Sequence, residues 1–351
     1  MQVDYLIIGQ GLCGTWLSWF LSKENASFLV IDNNETITPS KVSAGIINPV
    51  TGRRMVRVWM AAQVLAFARE AYTEIGKFLD IIAISQKNLI DFFPNVHQRQ
   101  VFLERIDEGE NYLQSYPEQN QFNEFFNYNL GCGEIRGCYA VQLQNLLPAW
   151  RQHLLSNERL LEDTFAFDDL VLKRESIEYH NIHAEKIIFC DGLSSCENPF
   201  FKQLPFAPNK GEALIVEIPN LPSHDIYKKG FVLAPLEEGN LFWFGSNYQW
   251  EFPHANPTEE FYEQAQRHLK AWLRIPFKVL EHKASIRPAT LERRPFVGLH
   301  PQQKNLGILN GMGTKGCSLA PWFANELVQN LVYNKEINPH ADVSRFQRIL
   351  S

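Results

Sequence analysis

The sequence has no long apolar run, no excess of basic residues and no internal repeat. None of its apolar segments approaches the roughly 20 residues that cross a bilayer, so we predict no membrane helix. The formal net charge of −6 argues against a broad electrostatic surface for nucleic acid. We therefore expect no nucleic-acid partner, although a local basic patch is compatible with this charge.

The cysteines form no recognisable motif. They stand at positions 13, 132, 138, 190, 196 and 317. Without a Cys-x-x-Cys pair, zinc binding and thioredoxin-like chemistry have little support, and we predict no metal site. The first strand-like run begins at Val3, which leaves no room for a signal peptide. We therefore expect a cytoplasmic protein with reduced thiols.

The composition is that of a globular protein with one or two domains. Hydrophobic residues make up 45% and charged residues 21% of the 351 residues, as in ordinary folded chains. The aromatic share of 13% is high. A large core is the simpler explanation for it, and a roomy aromatic-lined pocket is the alternative.

The first 32 residues predict a dinucleotide-binding unit. An apolar run over 3–8 leads into Gly-Gln-Gly-Leu-Cys-Gly over 9–14, and apolar residues at helical spacing follow over 15–21. A second apolar run, 28–31, ends at Asp32. The order of strand, glycine turn, helix, strand and acid is the fingerprint of a Rossmann unit. The alternative is an ordinary glycine-rich turn without a ligand.

Each part of this unit has its own role. Gly9 allows the tight turn, Gly11 lets a pyrophosphate approach the backbone, and Gly14 lets the helix pack close to the sheet. The positive end of the helix would face the phosphates. Asp32 can accept hydrogen bonds from both ribose hydroxyls, and its charge would repel a 2′-phosphate.

The rest of the chain alternates between helical and strand-like patterns. Apolar residues at helical spacing predict helices over 59–79, 138–155, 258–275 and about 318–332. Strand-like runs separated by Pro and Gly turns predict an antiparallel sheet that includes 210–218, 230–236 and 240–248. We expect short strands and turns over 88–103.

Residues 40–54 differ from an ordinary crossover connection. Their small and hydroxyl-bearing side chains would let the backbone run along a ligand. Arg53, Arg54 and Arg57 add positive charge nearby. The alternative is a solvent loop with a basic edge.

Further motifs accompany the glycine turn along the chain. They are Ser43-Ala44-Gly45, Cys190-Asp191-Gly192, Gly245-Ser246-Asn247-Tyr248, the Arg-Pro-x-Thr and Pro-x-x-Gly stretch over 287–298, and the loop Gly-Met-Gly-Thr-Lys-Gly over 311–316. With these motifs the chain resembles the D-amino-acid oxidase family of FAD-dependent oxidoreductases. Glycine oxidases, sarcosine oxidases and the oxidoreductase domain of a tRNA-modifying enzyme are the most similar members.

The resemblance implies an α/β fold with two domains. A Rossmann-like FAD-binding domain with a parallel sheet would comprise 1–77, 139–204 and 284–351. A substrate domain with an antiparallel sheet would comprise 78–138 and 205–283. Members with covalent flavin carry a cysteine where this chain has Asn310, so we expect non-covalent FAD.

The resemblance also implies which residues contact FAD. They are Gly9, Gly11, Leu12, Cys13, Gly14, Asp32, Asn33, Ser40, Ser43, Ala44, Gly45, Gly192, Gly311, Gly313, Thr314, Lys315 and Gly316. Lys315 would lie at the pyrimidine side of the flavin; its alternative is a solvated surface charge. A helix beginning near Ser318, with Pro321 in its first turn, would direct its positive end there.

The implied activity is oxidation of the C–N bond of an amino acid or secondary amine, with hydride transfer to flavin N5. O2 or another acceptor would then take the electrons. Arg287 would bind the substrate carboxylate, with a structural ion pair as its alternative. Tyr248, Trp243 and Phe231 could line the pocket or belong to the core. We assign no catalytic residue.

Two other functions are compatible with these motifs. One is a tRNA-modifying FAD-dependent oxidase that acts on a modified uridine. The other is a non-catalytic FAD-binding protein. The oxygen-activating lysine of sarcosine oxidases has no clear counterpart, because Asn247 stands in its neighbourhood, so the sequence leaves oxidase and dehydrogenase activity open.

Overall fold

The computed structural model describes residues 1–236 and 239–351. The strands are β1 (Gln2–Ile8), β2 (Phe28–Ile31), β3 (Ile46–Ile47), β4 (Val50–Thr51), β5 (Val56–Arg57), β6 (Ile84–Phe92), β7 (Leu113–Ser115), β8 (Cys132–Val141), β9 (Leu160–Leu161), β10 (Leu170–Leu172), β11 (Ile177–Tyr179), β12 (Ile182–Phe189), β13 (Asn209–Glu217), β14 (Ile226–Lys229), β15 (Phe231–Pro235), β16 (Leu241–Gly245), β17 (Lys278–Arg287), β18 (Phe296–Leu299) and β19 (Leu306–Asn310). The helices are α1 (Leu12–Lys23), α2 (Pro39–Val42), α3 (Ala61–Leu79), α4 (Val96–Asp107), α5 (Leu143–Ser156), α6 (Glu259–Trp272) and α7 (Gly316–Tyr333). No helix in these ranges is long and apolar enough to cross a membrane.

The first sheet has eight strands around a parallel centre. Its parallel strands lie in the order β19-β12-β1-β2-β9. The antiparallel strand β18 pairs with β19, and the hairpin β10–β11 pairs with the start of β12. The carboxyl ends of the parallel strands meet at one edge of the sheet, where α/β proteins bind their ligands.

Both faces of this sheet are buried, which explains its nearly continuous apolar strands. Successive side chains of β1 point to opposite faces. Tyr5 and Ile7 join the core formed with α1, α3, α5 and α7. Leu6 and Ile8 join a second core on the other face, together with Phe189. The strand is therefore fixed from both sides just before the glycine turn.

The second sheet has nine strands and is mostly antiparallel. Its order is β17-β13-β16-β15-β14-β6-β8-β3, with β7 paired to β8. Within the described ranges, β14–β6 is the only parallel pair of this sheet. Helix α6 covers one face with a stripe of Phe261, Ala265, Leu269 and Trp272. The predicted α/β class, with one parallel and one antiparallel sheet, is confirmed.

Three local predictions were wrong. The helix predicted over 138–155 begins only at Leu143, because its first residues belong to β8. Helix α4 occupies Val96–Asp107, where we expected short strands and turns over 88–103. Only Phe102 of this helix is buried, so its apolar periodicity is too weak to read, although Asn95 caps it by accepting a hydrogen bond from the Gln98 N–H. Helix α7 begins at Gly316, so Pro321 lies in its second turn rather than its first.

The domain boundaries remain a prediction. All strands of the first sheet fall within 1–77, 139–204 and 284–351. The second sheet takes most of its strands from 78–138 and 205–283, but it also contains β3 and the ends of β8 and β17.

Candidate functional site

A cavity of about 1630 Å³ opens at the carboxyl edge of the first sheet. Its walls include Gly9, Asp32 and Gly311 from that edge, and Trp243 and Arg287 from the second sheet. Ordinary ligand pockets measure about 300–1,000 Å³. The cavity can therefore hold a dinucleotide together with a second molecule.

The glycine turn forms the floor of one end of the cavity. A Cβ atom on Gly14 would lie 1.8 Å from the Gly9 carbonyl oxygen, so only glycine lets α1 approach the strand this closely. A Cβ on Gly11 would meet only the Ser40 hydroxyl, at 3.2 Å, and Gly11 lines the cavity. Space that a side chain would fill is thus left open beside the positive end of a helix.

Asp32 is held by a buried arginine. Its Oδ2 atom accepts a hydrogen bond from the Gln10 backbone N–H at 2.8 Å, and its Oδ1 atom accepts one from Arg151 Nη1 at 2.6 Å. Arg151 also donates to Glu162 at 2.8 Å. The guanidinium therefore bridges two carboxylates and fixes the orientation of Asp32.

Sequence reasoning missed Arg151, although a signal existed. It lies on α5 between the buried residues Leu147 and Leu154, at positions i−4 and i+3. An arginine within the apolar stripe of a helix must find a buried partner, because an unpaired buried charge is strongly unfavourable.

Lys315 lies near the carboxyl end of the loop 311–316. Its Nζ donates to Asn48 Oδ1 at 2.6 Å, and it lines the cavity. Burial lowers the pKa of the Lys315 ammonium to about 8, and among the described residues only cysteines oppose that shift. Lys315 is therefore a cation inside the site rather than a solvated surface charge.

A second acid lies between the glycine turn and the loop 311–316, because β12 runs between β1 and β19. Asp191 follows β12, lines the cavity and accepts a hydrogen bond from the Ser195 hydroxyl. Burial raises the pKa of Asp191 to about 6. Asn310 Nδ2 donates to the Gly192 carbonyl and to Ser195 Oγ, both at 2.8 Å, which joins the ends of β12 and β19.

Arg287 is the main polar group of the wall formed by the second sheet. Its guanidinium donates to Asn209 Oδ1 at 2.8 Å and to Ser246 Oγ at 2.7 Å. It also lies over the Tyr248 ring, 4.9 Å from the centroid. Burial lowers the pKa of Arg287, and among the described residues the Tyr248 phenol, rather than a carboxylate, opposes this shift. The structural ion pair that was the alternative for Arg287 is absent from the described ranges.

A glycine makes room for this guanidinium. A Cβ on Gly211 would lie 1.8 Å from Arg287 Nη2. The guanidinium thus rests directly on the backbone of β13, and sequence reasoning gave no indication of this contact.

The predicted aromatic residues do not share one location. Trp243 and Tyr248 line the cavity, and Trp243 Nε1 donates to the Val42 carbonyl at 2.9 Å. Phe231 does not line it. Its ring packs against Phe244, Phe261 and His268 on the face covered by α6. Side chains alternate along a strand, so the neighbouring residue, Val232, faces the cavity instead.

Most residues that we expected to contact FAD line this one cavity. They are Gly9, Gly11, Leu12, Cys13, Asp32, Asn33, Ser40, Ser43, Ala44, Gly192, Gly311, Gly313, Thr314, Lys315 and Gly316. Gly14 and Gly45 lie behind its wall. A Cβ on Gly45 would be 2.0 Å from the Val141 carbonyl oxygen, so Gly45 serves close packing of the chain.

Comparison with known families identifies the chain. A family model described as FAD dependent oxidoreductase, DAO, matches residues 4–330. The chain belongs to this family. The resemblance inferred from the motifs is thereby confirmed. For an FAD-dependent oxidoreductase, the open space at Gly11 and the fixed carboxylate of Asp32 suit the pyrophosphate and ribose of the cofactor.

Individual relatives are more distant. Glycine oxidase of Bacillus subtilis (strain 168) is 29% identical over 167 residues. That alignment spans 45% of this chain and 44% of the relative, so it covers less than half the length of that curated protein.

Solved structures agree in fold. Glycine oxidase from Geobacillus kaustophilus superposes with a TM-score of 0.76 at 19% identity, over 96% of both chains. Iminodiacetate oxidase from Chelativorans sp. BNC1 gives a TM-score of 0.77 at 17% identity, over 95% of this chain and 96% of the other. At such identities the similarity shows the fold alone.

Proposed function

We propose that this oxidoreductase binds FAD non-covalently in the cavity and oxidises the C–N bond of an amino acid or secondary amine. The observation that carries the proposal is Arg287. Its guanidinium is largely buried, faces the cavity and has neutral partners among the described residues. A planar fork of donors without an acid matches a carboxylate.

The residues of the chain fit the parts of FAD in order. Gly11 and the amino end of α1 would hold the pyrophosphate, and Asp32 would hold the adenosine ribose. Lys315 and the amino end of α7 would lie at the pyrimidine side of the flavin, where positive charge favours the reduced anion. Because Asn310 replaces the cysteine of covalent members, the cofactor should dissociate.

Bound FAD would supply the redox chemistry by accepting a hydride from the carbon next to the amine nitrogen. The chain itself would bind and orient the substrate. Arg287 would hold the carboxylate, and Tyr248 and Trp243 would limit the space around it. An amine that binds in its neutral form needs no protein base, so none is assigned.

The names of the relatives support an amine substrate. The curated relative is a glycine oxidase, and the solved structures include glycine oxidase and iminodiacetate oxidase. All three names describe oxidation of small amino-acid substrates. O2 or another acceptor would complete the cycle.

An anaerobic absorbance screen of the purified holo-protein tests the proposal. We expect at least one amino acid or N-methyl amino acid to bleach the flavin band. Arg287→Lys should weaken the apparent affinity for that substrate about 10- to 100-fold, because lysine lacks the fork. Arg174→Lys is the control, since Arg174 is exposed and lies outside the cavity.

Two outcomes would contradict the proposal. Tight FAD binding without reduction by any amine would favour the non-catalytic FAD-binding protein. Reduction that is equally efficient in Arg287→Lys would remove Arg287 from the substrate site.

A further inference from the structure

Four arginines form a lip on one wall of the cavity. Arg53 and Arg54 lie at the tip of the β4–β5 hairpin, and Arg293 and Arg294 lie in the turn after β17. All four line the cavity. We call this set the arginine lip.

The arginine lip has no acidic partner in the described part of the chain. None of its members occurs among the ion pairs of residues 1–236 and 239–351. Glu292, which directly precedes Arg293, is already paired with Arg345. Glu110 is paired with Arg57 of the same hairpin.

The two halves of the lip adjoin each other. The Arg294 guanidinium lies over the ring of Trp59, 4.2 Å from its centroid. Trp59 follows the base of the hairpin, where the Val58 N–H donates to the Pro49 carbonyl at 2.8 Å. Each strand of the hairpin has two residues. The tip of the hairpin therefore lies only about 7 Å from that base along the strand direction.

The lip also adjoins the substrate wall. Thr290 Oγ1 donates to the Arg294 carbonyl at 2.8 Å and accepts from the Arg294 N–H at 3.1 Å. This closes a turn three residues after Arg287. The loop 311–316 packs on the same turn, since a Cβ on Gly311 would lie 2.7 Å from Thr290 Cγ2.

Charge is therefore distributed unevenly. The whole chain carries a formal charge of −6, yet this wall gathers the lip, Arg287 and Lys315 without acidic partners among the described residues. Like charges in a cleft with low-dielectric walls repel each other and attract anions. A single substrate carboxylate on Arg287 would leave the lip unpaired.

We propose that the arginine lip is a second anion subsite, and that the substrate is an amine with two anionic groups. One carboxylate would bind Arg287, and a second carboxylate or a phosphate would bind the lip, since arginine forks suit both groups. The oxidation of such an amine rests on the proposed function, whereas the binding of a dianion does not.

A nucleic-acid backbone is the competing occupant. Tyr248 and Trp250 are each 57% exposed and line the same cavity, and bases could stack on them. Nucleic-acid binding nevertheless uses a wide basic face. Here the chain has a negative net charge, and the lip supplies only four arginines inside a cavity. The observations favour a small dianion.

Binding of redox-inert acids to the holo-protein tests the subsite. Succinate and butyrate have the same number of carbons and differ by one carboxylate, and each titration can be followed by the shift of the flavin absorbance band. We expect succinate to bind at least about tenfold more tightly, the effect of one charge-assisted hydrogen bond. Phosphonoacetate shows whether the lip prefers a phosphorus oxyanion to a carboxylate.

Variants of the lip give the decisive comparison. In the double variant Arg53→Ala with Arg54→Ala, and in Arg293→Ala, the ratio of the two affinities should fall towards one. Arg174→Ala, an exposed arginine outside the cavity, should keep the ratio of the wild type. Circular dichroism confirms that each variant is folded.

Three results would overturn the proposal. They are equal affinity for succinate and butyrate in the wild type, an equal fall of the ratio in Arg174→Ala, and lip-dependent binding of a short single-stranded RNA without any preference for small dianions.

Failure of the proposed function would look different. If no amine of the absorbance screen bleaches the flavin while succinate is still preferred, the C–N oxidation is wrong and the subsite stands. If aspartate and 2-aminobutyrate both bleach it with equal affinity and succinate is not preferred, the oxidation stands and the subsite is wrong.

Discussion

The two ends of the cavity are built in different ways. The dinucleotide end uses six consecutive residues, 9–14, and its acid Asp32 is compensated by Arg151. The proposed substrate end gathers Asn209, Ser246 and Arg287 from distant parts of the chain, and Arg287 lacks an acidic partner in the described ranges. A compensated end suits a resident cofactor, whereas an uncompensated end suits an anion that arrives and leaves.

The largest effect should follow from filling the space behind the glycine turn. In Gly14→Ala the new methyl group would lie 1.8 Å from the Gly9 carbonyl oxygen, and backbone cannot move aside as a flexible side chain can. We expect a loss of about 1–3 kcal/mol in the free energy of unfolding, with little FAD retained on purification. Thermal unfolding and the flavin absorbance of the purified protein measure both.

Gly316→Ala is the control for the loss of stability alone, because Gly316 itself lines the cavity. Its Cβ would meet Leu12 Cδ1 at 3.3 Å, in a helical backbone. A similar loss of stability in both variants would show that close packing of α1 on the strand is not the reason for Gly14.

Removing the compensation at the dinucleotide end should weaken cofactor binding next. Arg151→Met would leave Asp32 and Glu162 without their shared cation and free Asp32 to turn. We expect the Kd for FAD to rise about tenfold. Because Arg151 acts at the adenosine side, ADP should lose as much affinity as FAD, and competition of ADP for the apo-protein measures this.

The contrary result for Arg151 is equally clear. Weaker FAD binding with unchanged ADP binding would place the effect at the flavin. Arg159→Met is the control, because Arg159 lies over the Phe28 ring instead of pairing with an acid in the described ranges.

A smaller effect should follow from a change that disturbs only the position of Arg287. Gly211→Ala would place a methyl group where the Arg287 guanidinium now lies. The clash is with the end of a flexible side chain, so the fold should survive with an almost unchanged Tm. We expect KM for a carboxylate substrate to rise about fivefold to tenfold with little change in kcat.

A double-mutant cycle sharpens this prediction. If Gly211 acts only through Arg287, then adding Gly211→Ala to Arg287→Lys should raise KM by less than the two single effects combined. Full additivity would mean that Gly211 contacts the substrate independently.

The smallest effect concerns pH. The pKa of Asp191 is raised to about 6 by burial, so the folded protein binds more protons than the unfolded chain between about pH 4 and pH 6. The stability that this group contributes is therefore present at pH 4 and is lost as pH rises through 6. Asp191→Asn should reduce the change in stability between pH 4 and pH 6 by about 1–2 kcal/mol.

Urea unfolding of the apo-protein between pH 4 and pH 7 measures that slope. Ser344→Ala, at an exposed position beside the carboxyl-terminal turn, should leave it as in the wild type. A slope that persists in Asp191→Asn would assign the titration to another group.

Local patterns in the sequence by themselves determine much of the fold. The order of strand, glycine turn, helix and acid locates β1, α1 and β2, because the periods of the strands and the helix and the spacing of the glycines all lie within the first 32 residues. The apolar stripe of α6 locates that helix in the same way. Helix α4 was not predicted, because Phe102 is its only buried residue. Apolar periodicity is visible in a sequence only when a whole face of the helix is buried.

Tertiary structure decided what faces the cavity. Side chains alternate along β15, but all of its residues are apolar, so the sequence does not show which face is which. The packing of α6 on one face decides that Phe231 packs against the core and that Val232 faces the cavity. The pairing of Asp32 with Arg151 and the seat of Arg287 on Gly211 likewise join residues far apart in the chain. A sequence encodes short-range backbone preferences directly. Contacts such as these exist only once distant strands and helices have packed together, because burial then requires each charge to have a partner within reach.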